Sequence, residues 1–256
     1  MYFIDTHAHL YAEEFNTDRI AMVQRAIDAK VLKMILPNVD SESIAGLKQL
    51  LIDFPNHCFG MMGLHPCSVS SNFQEELAPI QAELFANTAL YKAVGEIGID
   101  LYWDKTTQNF QESAFIKQCL WALELNLPIA IHTRSAKYET IKQLKTLPKQ
   151  PGGVFHCFSG SLEEAQEIIN LGYFIGIGGV LTYKNANLPT LLSQLSIDNI
   201  ILETDAPYLP PLPFRGKRNE SSYIPLIAEK LADAFNVSIQ TIAEATSANA
   251  EKLFKL

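Results

Sequence analysis

Eight short apolar, often β-branched runs alternate along the chain with longer amphipathic stretches, an order that a parallel sheet with crossover helices imposes. The runs lie near Tyr2 to Asp5, Val31 to Leu36, Cys58 to Gly63, Lys92 to Glu96, Pro128 to Ile131, Val154 to His156, Tyr173 to Ile177 and Asn199 to Glu203. Helical stretches between them include Asp18 to Ala29, Glu42 to Phe54, Thr107 to Asn126, Ala136 to Leu147 and Leu162 to Leu171, with Gly172 as the C-cap of the last. No glycine-rich dinucleotide fingerprint follows the first run. The pattern therefore predicts an α/β fold of the (β/α)8 TIM-barrel type rather than an open doubly wound sheet, and 256 residues suit one such domain spanning 1–256.

After the eighth run, residues Thr204 to Glu220 hold four of the thirteen prolines, which predicts a stiff loop across the barrel mouth. The last helix is expected to start near Ser247 and to carry Ala250, Leu253 and Phe254 inward. Four cysteines without a C-x-x-C spacing read as reduced, small apolar residues. The N-terminus has no basic region ahead of an apolar stretch, and nowhere do 18 apolar residues run together, so the expectation is a cytoplasmic protein with no membrane contact. A formal charge of −8 argues against indiscriminate binding along duplex DNA, which needs many phosphate-neutralising cations. It leaves room for a small basic mouth and for metal ions, whose charge the count omits.

In this barrel class the C-terminal strand ends face the active site, and five of the six histidines fall there. His7 and His9 follow the first run; their spacing of two on extended chain turns both imidazoles the same way. His65 follows the third run, Glu96 ends the fourth, His132 the fifth and His156 the sixth, and Asp205 follows the eighth. A carboxylate at the tip of an apolar run, as in Val94-Gly95-Glu96-Ile97-Gly98, needs a cation or hydrogen bonds. Taken singly each of these residues has a structural reading, as a core histidine, a salt-bridged carboxylate or a turn cap. Taken together, His7, His9, Glu96, His132, His156 and Asp205 are more ligands than one ion needs, which points to two divalent ions with Glu96 as the natural bridge.

The segments Ile4-Asp5-Thr6-His7-Ala8-His9-Leu10, Gly63-Leu64-His65-Pro66, Gly95-Glu96-Ile97-Gly98-Ile99-Asp100, Ile131-His132-Thr133-Arg134, His156-Cys157-Phe158-Ser159-Gly160 and Glu203-Thr204-Asp205-Ala206-Pro207 resemble, in order, those of the TatD family of metal-dependent deoxyribonucleases. The resemblance spans nearly the whole chain and implies an amidohydrolase-like barrel. It implies one ion held by His7, His9, Glu96 and Asp205 and a second by Glu96, His132 and His156. It further implies Arg134 and His65 near a substrate phosphate, and Arg218-Asn219-Glu220 in the loop over the site. Ser135 and Ser221 depart from the family's usual Asp and Pro, and Tyr102-Trp103 replaces its usual paired tyrosines, leaving an aromatic on which a base can stack.

These readings combine into a divalent-metal hydrolase expected to cut phosphodiester bonds in DNA exonucleolytically, at single-stranded or frayed ends. A metal-activated water attacks, Asp205 and Glu96 serve it, and Arg134 clamps the phosphate. Substrate contacts are expected from His65, Arg134, Tyr102, Lys217, Arg218 and Asn219; Lys217 and Arg218 belong to the one dense basic patch beside the site. The metal is left open among Mg, Mn, Zn, Fe and Ni. No obligate protein partner is inferred. Two alternatives stay open: the same site acting on another ester or amide, such as an aminoacyl-tRNA ester or a small phosphoester, and a non-catalytic metal-binding module.

Overall fold

The computed structural model describes residues 1–256. The eight apolar runs form eight parallel strands in one sheet, in sequence order: β1 (Phe3–Asp5), β2 (Val31–Pro37), β3 (Cys58–Met61), β4 (Tyr91–Asp100), β5 (Ile129–Arg134), β6 (Gly153–Phe155), β7 (Phe174–Ile177) and β8 (Ile200–Leu202). The ring closes between β8 and β1, where Thr6 N–H donates to Leu202 O (3.0 Å), Asp205 N–H to His7 O (2.8 Å) and His9 N–H to Ala206 O (2.7 Å). Helices pack outside: α1 (Arg19–Asp28), α2 (Ser43–Asp53), α3 (Phe73–Ala86), α4 (Gln108–Leu125), α5 (Lys137–Leu144), α6 (Leu162–Asn170), the short α7 (Leu188–Leu192) and α8 (Ile224–Phe235). None of the helices is long and apolar enough to cross a membrane.

Helix boundaries follow local chemistry. Ser161 and Glu164 form a capping box that starts α6. Gly172, at φ 85°, ends it, with its N–H on Ile169 O and the Tyr173 N–H on Ile168 O, a Schellman arrangement. The final helix, α9 (Ile239–Phe254), starts eight residues before the expected Ser247. Ser238 caps it by accepting from the Thr241 N–H, and Ile242, Ala243, Thr246, Ser247, Ala250 and Phe254 form one continuous buried stripe. Ala250 and Phe254 meet Ile4, Ile35, Met61, Ala93, Ala130, Val154 and Ile201 inside the barrel. They plug its N-terminal end, and the opposite end is left for polar residues.

The fourth strand departs from expectation. It runs ten residues to Asp100 instead of ending at Glu96. Its register against β5 slips by one residue between Val94↔Ile129 and Ile97↔Ile131, a β-bulge at Gly95 and Glu96. Bulges bend a strand and re-aim a side chain, and here the re-aimed one is Glu96. Beyond it, Gly98 lies so close to β5 that a Cβ would sit 1.9 Å from His132 O.

The proline-rich loop is held by a network that the sequence did not disclose. Arg218 donates to both carboxylate oxygens of Asp18 (2.7 and 2.9 Å) and to Glu14 O (2.7 Å), with its guanidinium over the Phe15 ring. Arg25 links Asp18 to Glu220 on the loop's far side. Asn219 is fully buried, donating to Thr204 O and Tyr208 O and accepting from the Glu220 N–H. Arg218 and Asn219, expected among the substrate contacts, are staples of the loop in this structure, Asn219 fully buried and Arg218 partly exposed.

Arg218→Ala is expected to loosen residues 204–220 and lower the melting temperature by a few degrees, read by limited proteolysis and a thermal melt. The hydrogen bonds from Arg218 and Arg25 hold Asp18 well below the usual carboxylate range, and Glu220 is also lowered, against its burial, by Arg25. Depressed folded-state values mean that this anchoring is present above the unfolded carboxylate range, roughly pH 4, and is lost as pH falls below it. Wild type and variant should therefore converge in acid; equal protease resistance at pH 7 would count against the network.

Candidate metal centre

The expected donors sit in the C-terminal half of a strand, as Glu96 and His132 do, or past its end, where the pleat and the turn after it set their direction. His7 and His9 leave β1 on the same side, His132 lies within β5, and His156 follows β6 directly. Cys157 (φ 50°) and Asp205 (φ 58°) both adopt the left-handed conformation that turns the chain sharply off its strand. The outcome is one cluster around the Glu96 carboxylate, whose residue is 1% exposed.

The two oxygens of Glu96 face different neighbours. Oε2 lies 3.0 Å from His7 Nε2 and 3.5 Å from His9 Nε2, and Asp205 Oδ1 is 3.6 Å from His9 Nε2 and 3.9 Å from His7 Nε2. Oε1 lies 2.6 Å from His156 Nε2, 2.7 Å from His132 Nδ1 and 3.4 Å from His65 Nε2. His132 Nδ1 and His156 Nε2 are 3.2 Å apart. Two nitrogen or oxygen donors on one tetrahedral ion stand about 3.3–3.6 Å apart, given bonds near 2.0–2.2 Å. The donor set fits divalent cations, and the His9, Glu96 and Asp205 atoms already stand near that spacing; the 2.6–3.2 Å contacts among Glu96, His132 and His156 are hydrogen-bond distances that a cation would widen.

Neighbouring hydrogen bonds set the tautomers. Tyr11 Oη donates to Pro37 O (2.6 Å), so it accepts from His9 Nδ1 (3.2 Å), and His9 Nε2, which faces Glu96 and Asp205, becomes the ligand nitrogen once its proton is lost. His132 Nε2 donates to Asp100 Oδ2 (2.9 Å), and its Nδ1, which donates to Glu96 Oε1 (2.7 Å) here, becomes the ligand nitrogen once that proton is lost. His65 differs. Its Nδ1 accepts the Cys67 N–H (3.1 Å), so the neutral ring, kept neutral by burial, carries its proton on Nε2 and points a donor into the site.

Against the burial that opposes it, the imidazoles of His156, His65 and His7 hold Glu96 well below the carboxylate range. Burial and the charge on His156 push His7 down to about 4. His156 stands at about 9, raised by Glu96 in spite of burial. Behind it the fully buried Glu203, pushed up to about 8 by burial, accepts from the Cys157 N–H. His9, His132 and His156, whose protons are held more tightly than on a free imidazole, balance the carboxylates, and a metal must displace those protons.

Of the remaining expected residues, Arg134 stands at the end of β5 with its guanidinium 3.9 Å from the Tyr102 ring centroid. Lys217 is exposed near Phe214, and its neighbour Arg215 lines a shallow cleft with Tyr183, Lys184 and Leu212. Sequence reasoning missed Asp100, Tyr11 and Glu203. Asp100 and Glu203 carried the same signal that singled out Glu96, a carboxylate closing an apolar run. Cys67 also departs from its apolar reading: it is exposed, with Sγ 3.6 Å from Asp100 Oδ2.

Asp100→Asn removes the anionic acceptor that orients His132 and is expected to cost about 10- to 100-fold in metal affinity or turnover. Metal titration followed by activity measures it; a change under threefold would show that His132 is oriented without Asp100.

The model of the family described as TatD related DNase matches residues 4–255. The chain is 37% identical to an uncharacterized metal-dependent hydrolase, YabD, of Bacillus subtilis, over 98% of each chain. It is 32% identical to a protein of Rahnella named 3'-5' ssDNA/RNA exonuclease TatD, over 97% of this chain and 96% of that one. The crystal structure of YJJV, a TatD homolog from Escherichia coli, superposes with a TM-score of 0.91 at 33% identity, covering 99% of this chain and 98% of the other. A family match that runs the length of the barrel, and histidine and carboxylate donors gathered at its open end, make this chain a member of the TatD family and a metal-dependent hydrolase.

Proposed function

We propose that the protein hydrolyses phosphodiester bonds in DNA, working from ends or on single strands with two divalent ions bound around Glu96. The observation that carries the reading is the division of Glu96, one carboxylate oxygen toward His7, His9 and Asp205 and the other toward His132 and His156. In this reading the first group holds one ion and the second group the other, with Glu96 shared. Bound there, divalent ions lower the pKa of a water toward neutrality and neutralise phosphate charge.

The chain's own residues supply the rest. Asp205, which its imidazole neighbours keep ionised in spite of burial, accepts the proton of the attacking water as its oxygen approaches phosphorus. His65 donates from Nε2 to a phosphate oxygen, and Arg134 clamps the same group. The relatives named as single-stranded DNA and RNA exonucleases support a nucleic-acid substrate.

The test is end-labelled DNA and RNA, single and double stranded, incubated with Mg or Mn and with chelator. Shortening of single-stranded or frayed DNA that stops with chelator is the expected result. Nucleic acid left intact while an aminoacyl or small phosphate ester is cleaved would move the same site to another substrate.

A further inference from the structure

Five aromatic side chains are exposed, Tyr102, Trp103, Phe110, Tyr138 and Tyr208. All five lie in segments that follow a strand or in the first turn of the next helix, on the face that carries the metal centre. Exposed large apolar residues elsewhere are aliphatic, such as Ile52, Leu90 and Val237. Burial alone gives no reason for aromatics to collect on one face, whereas stacking on a planar ligand does.

The most organised part is a ledge made by Tyr102, Trp103 and Arg134. The Trp103 indole, 71% exposed, stands edge-on to the Tyr102 ring at 4.9 Å and 89°. Arg134 lies over Tyr102 at 3.9 Å and 5.3 Å from Trp103. Arg19, Arg25 and Arg218 are committed to carbonyl or carboxylate oxygens, but the Arg134 guanidinium keeps its N–H edges free.

One carboxylate ties the ledge to the metal centre. Asp100 accepts the Tyr102 N–H on Oδ1 (2.9 Å) and His132 Nε2 on Oδ2 (2.9 Å), and Arg134 pairs with Asp100 in the sheet. A flat apolar face and a free planar cation, fixed at this position, match a nucleobase and the phosphate attached to it.

We propose that Trp103 is a base-stacking residue: the base of the nucleotide beside the scissile phosphate lies on its indole, while Arg134, braced on Tyr102, clamps that scissile phosphate. This rests on the nucleic-acid reading above and deepens it. A base can lie on the indole only when unpaired, so the ledge selects single strands and frayed ends, and it is tolerant of sequence because every base has a π-face.

The test compares tetrathymidylate with the same backbone lacking bases. Trp103→Ala is expected to raise KM for tetrathymidylate by about 5- to 100-fold and to leave KM for the abasic chain unchanged, and Trp103→Phe should recover most of the loss. Binding is read separately by fluorescence, because the only other tryptophan, Trp121, is buried. Titrating a phosphorothioate-linked tetrathymidylate should quench wild-type emission and leave Trp103→Phe unquenched.

Equal losses on both substrates would assign Trp103 a shaping role and overturn the proposal. So would unchanged kinetics in Trp103→Ala, which would leave the ledge to some other partner, such as an apolar peptide. Failure to cut any nucleic acid would sink the broader reading with it; normal cutting with no dependence on Trp103 sinks the stacking role alone.

Discussion

Glu96→Gln is expected to lower turnover of a phosphodiester by on the order of 10³-fold while leaving the barrel folded. The substitution keeps shape and volume but replaces the one anionic group that both sets of imidazoles face with a neutral amide. Its nitrogen turns a donor toward lone pairs that must reach a cation, so both halves of the centre weaken together. A melt in chelator checks the fold, and initial rates at saturating Mn check the chemistry. Activity within tenfold of wild type would mean that Glu96 is not shared between ions.

Chelation carries the second large effect. With divalent ions removed, hydrolysis should cease, and the melting temperature should fall because cations bind the folded donor cluster and not the dispersed unfolded one. Restoring a metal at about 100 times its Kd contributes about 2.7 kcal/mol, roughly 5–10 °C for a chain of this size. The effect depends on pH with a definite sign. In the metal-free protein His156 holds its proton up to about 9, and binding requires that nitrogen's lone pair. Metal affinity, and the melting shift with it, should therefore grow from pH 6 to pH 8 and flatten above about 9. Turnover that survives exhaustive chelation would contradict this account.

Which parts were legible in the sequence follows from the range of the forces involved. The barrel order was readable because each apolar run and amphipathic stretch is a local pattern, and the residues that gather around Glu96 were readable because polar residues at the ends of apolar runs stand out against their surroundings. A carboxylate reads as the limit of an apolar strand, but the bulge at Gly95 and Glu96 lets β4 continue to Asp100 with that side chain aimed inward. The start of α9 was missed because Ser238 is an ordinary serine until its hydroxyl meets the Thr241 N–H.

Arg218 and Asn219 show the opposite limit. In the sequence they form part of a basic loop beside the site. Their partners, Asp18 and Glu14 for one and Thr204 and Tyr208 for the other, are fixed by how the loop packs on α1 and on β8, which no local spacing encodes. Arg134 and Trp103 lie between these cases: the residue types suggested phosphate and base, and their mutual stacking became visible only in three dimensions.

The central claim is that Glu96 stands between two cations, and anomalous diffraction from crystals grown with Mn addresses it directly. The account predicts two peaks about 3.5–4 Å apart, one against His7, His9 and Asp205 and the other against His132 and His156, each touching a different oxygen of Glu96. Peaks confined to surface carboxylates, with Glu96 still hydrogen-bonded to imidazoles alone, would contradict it.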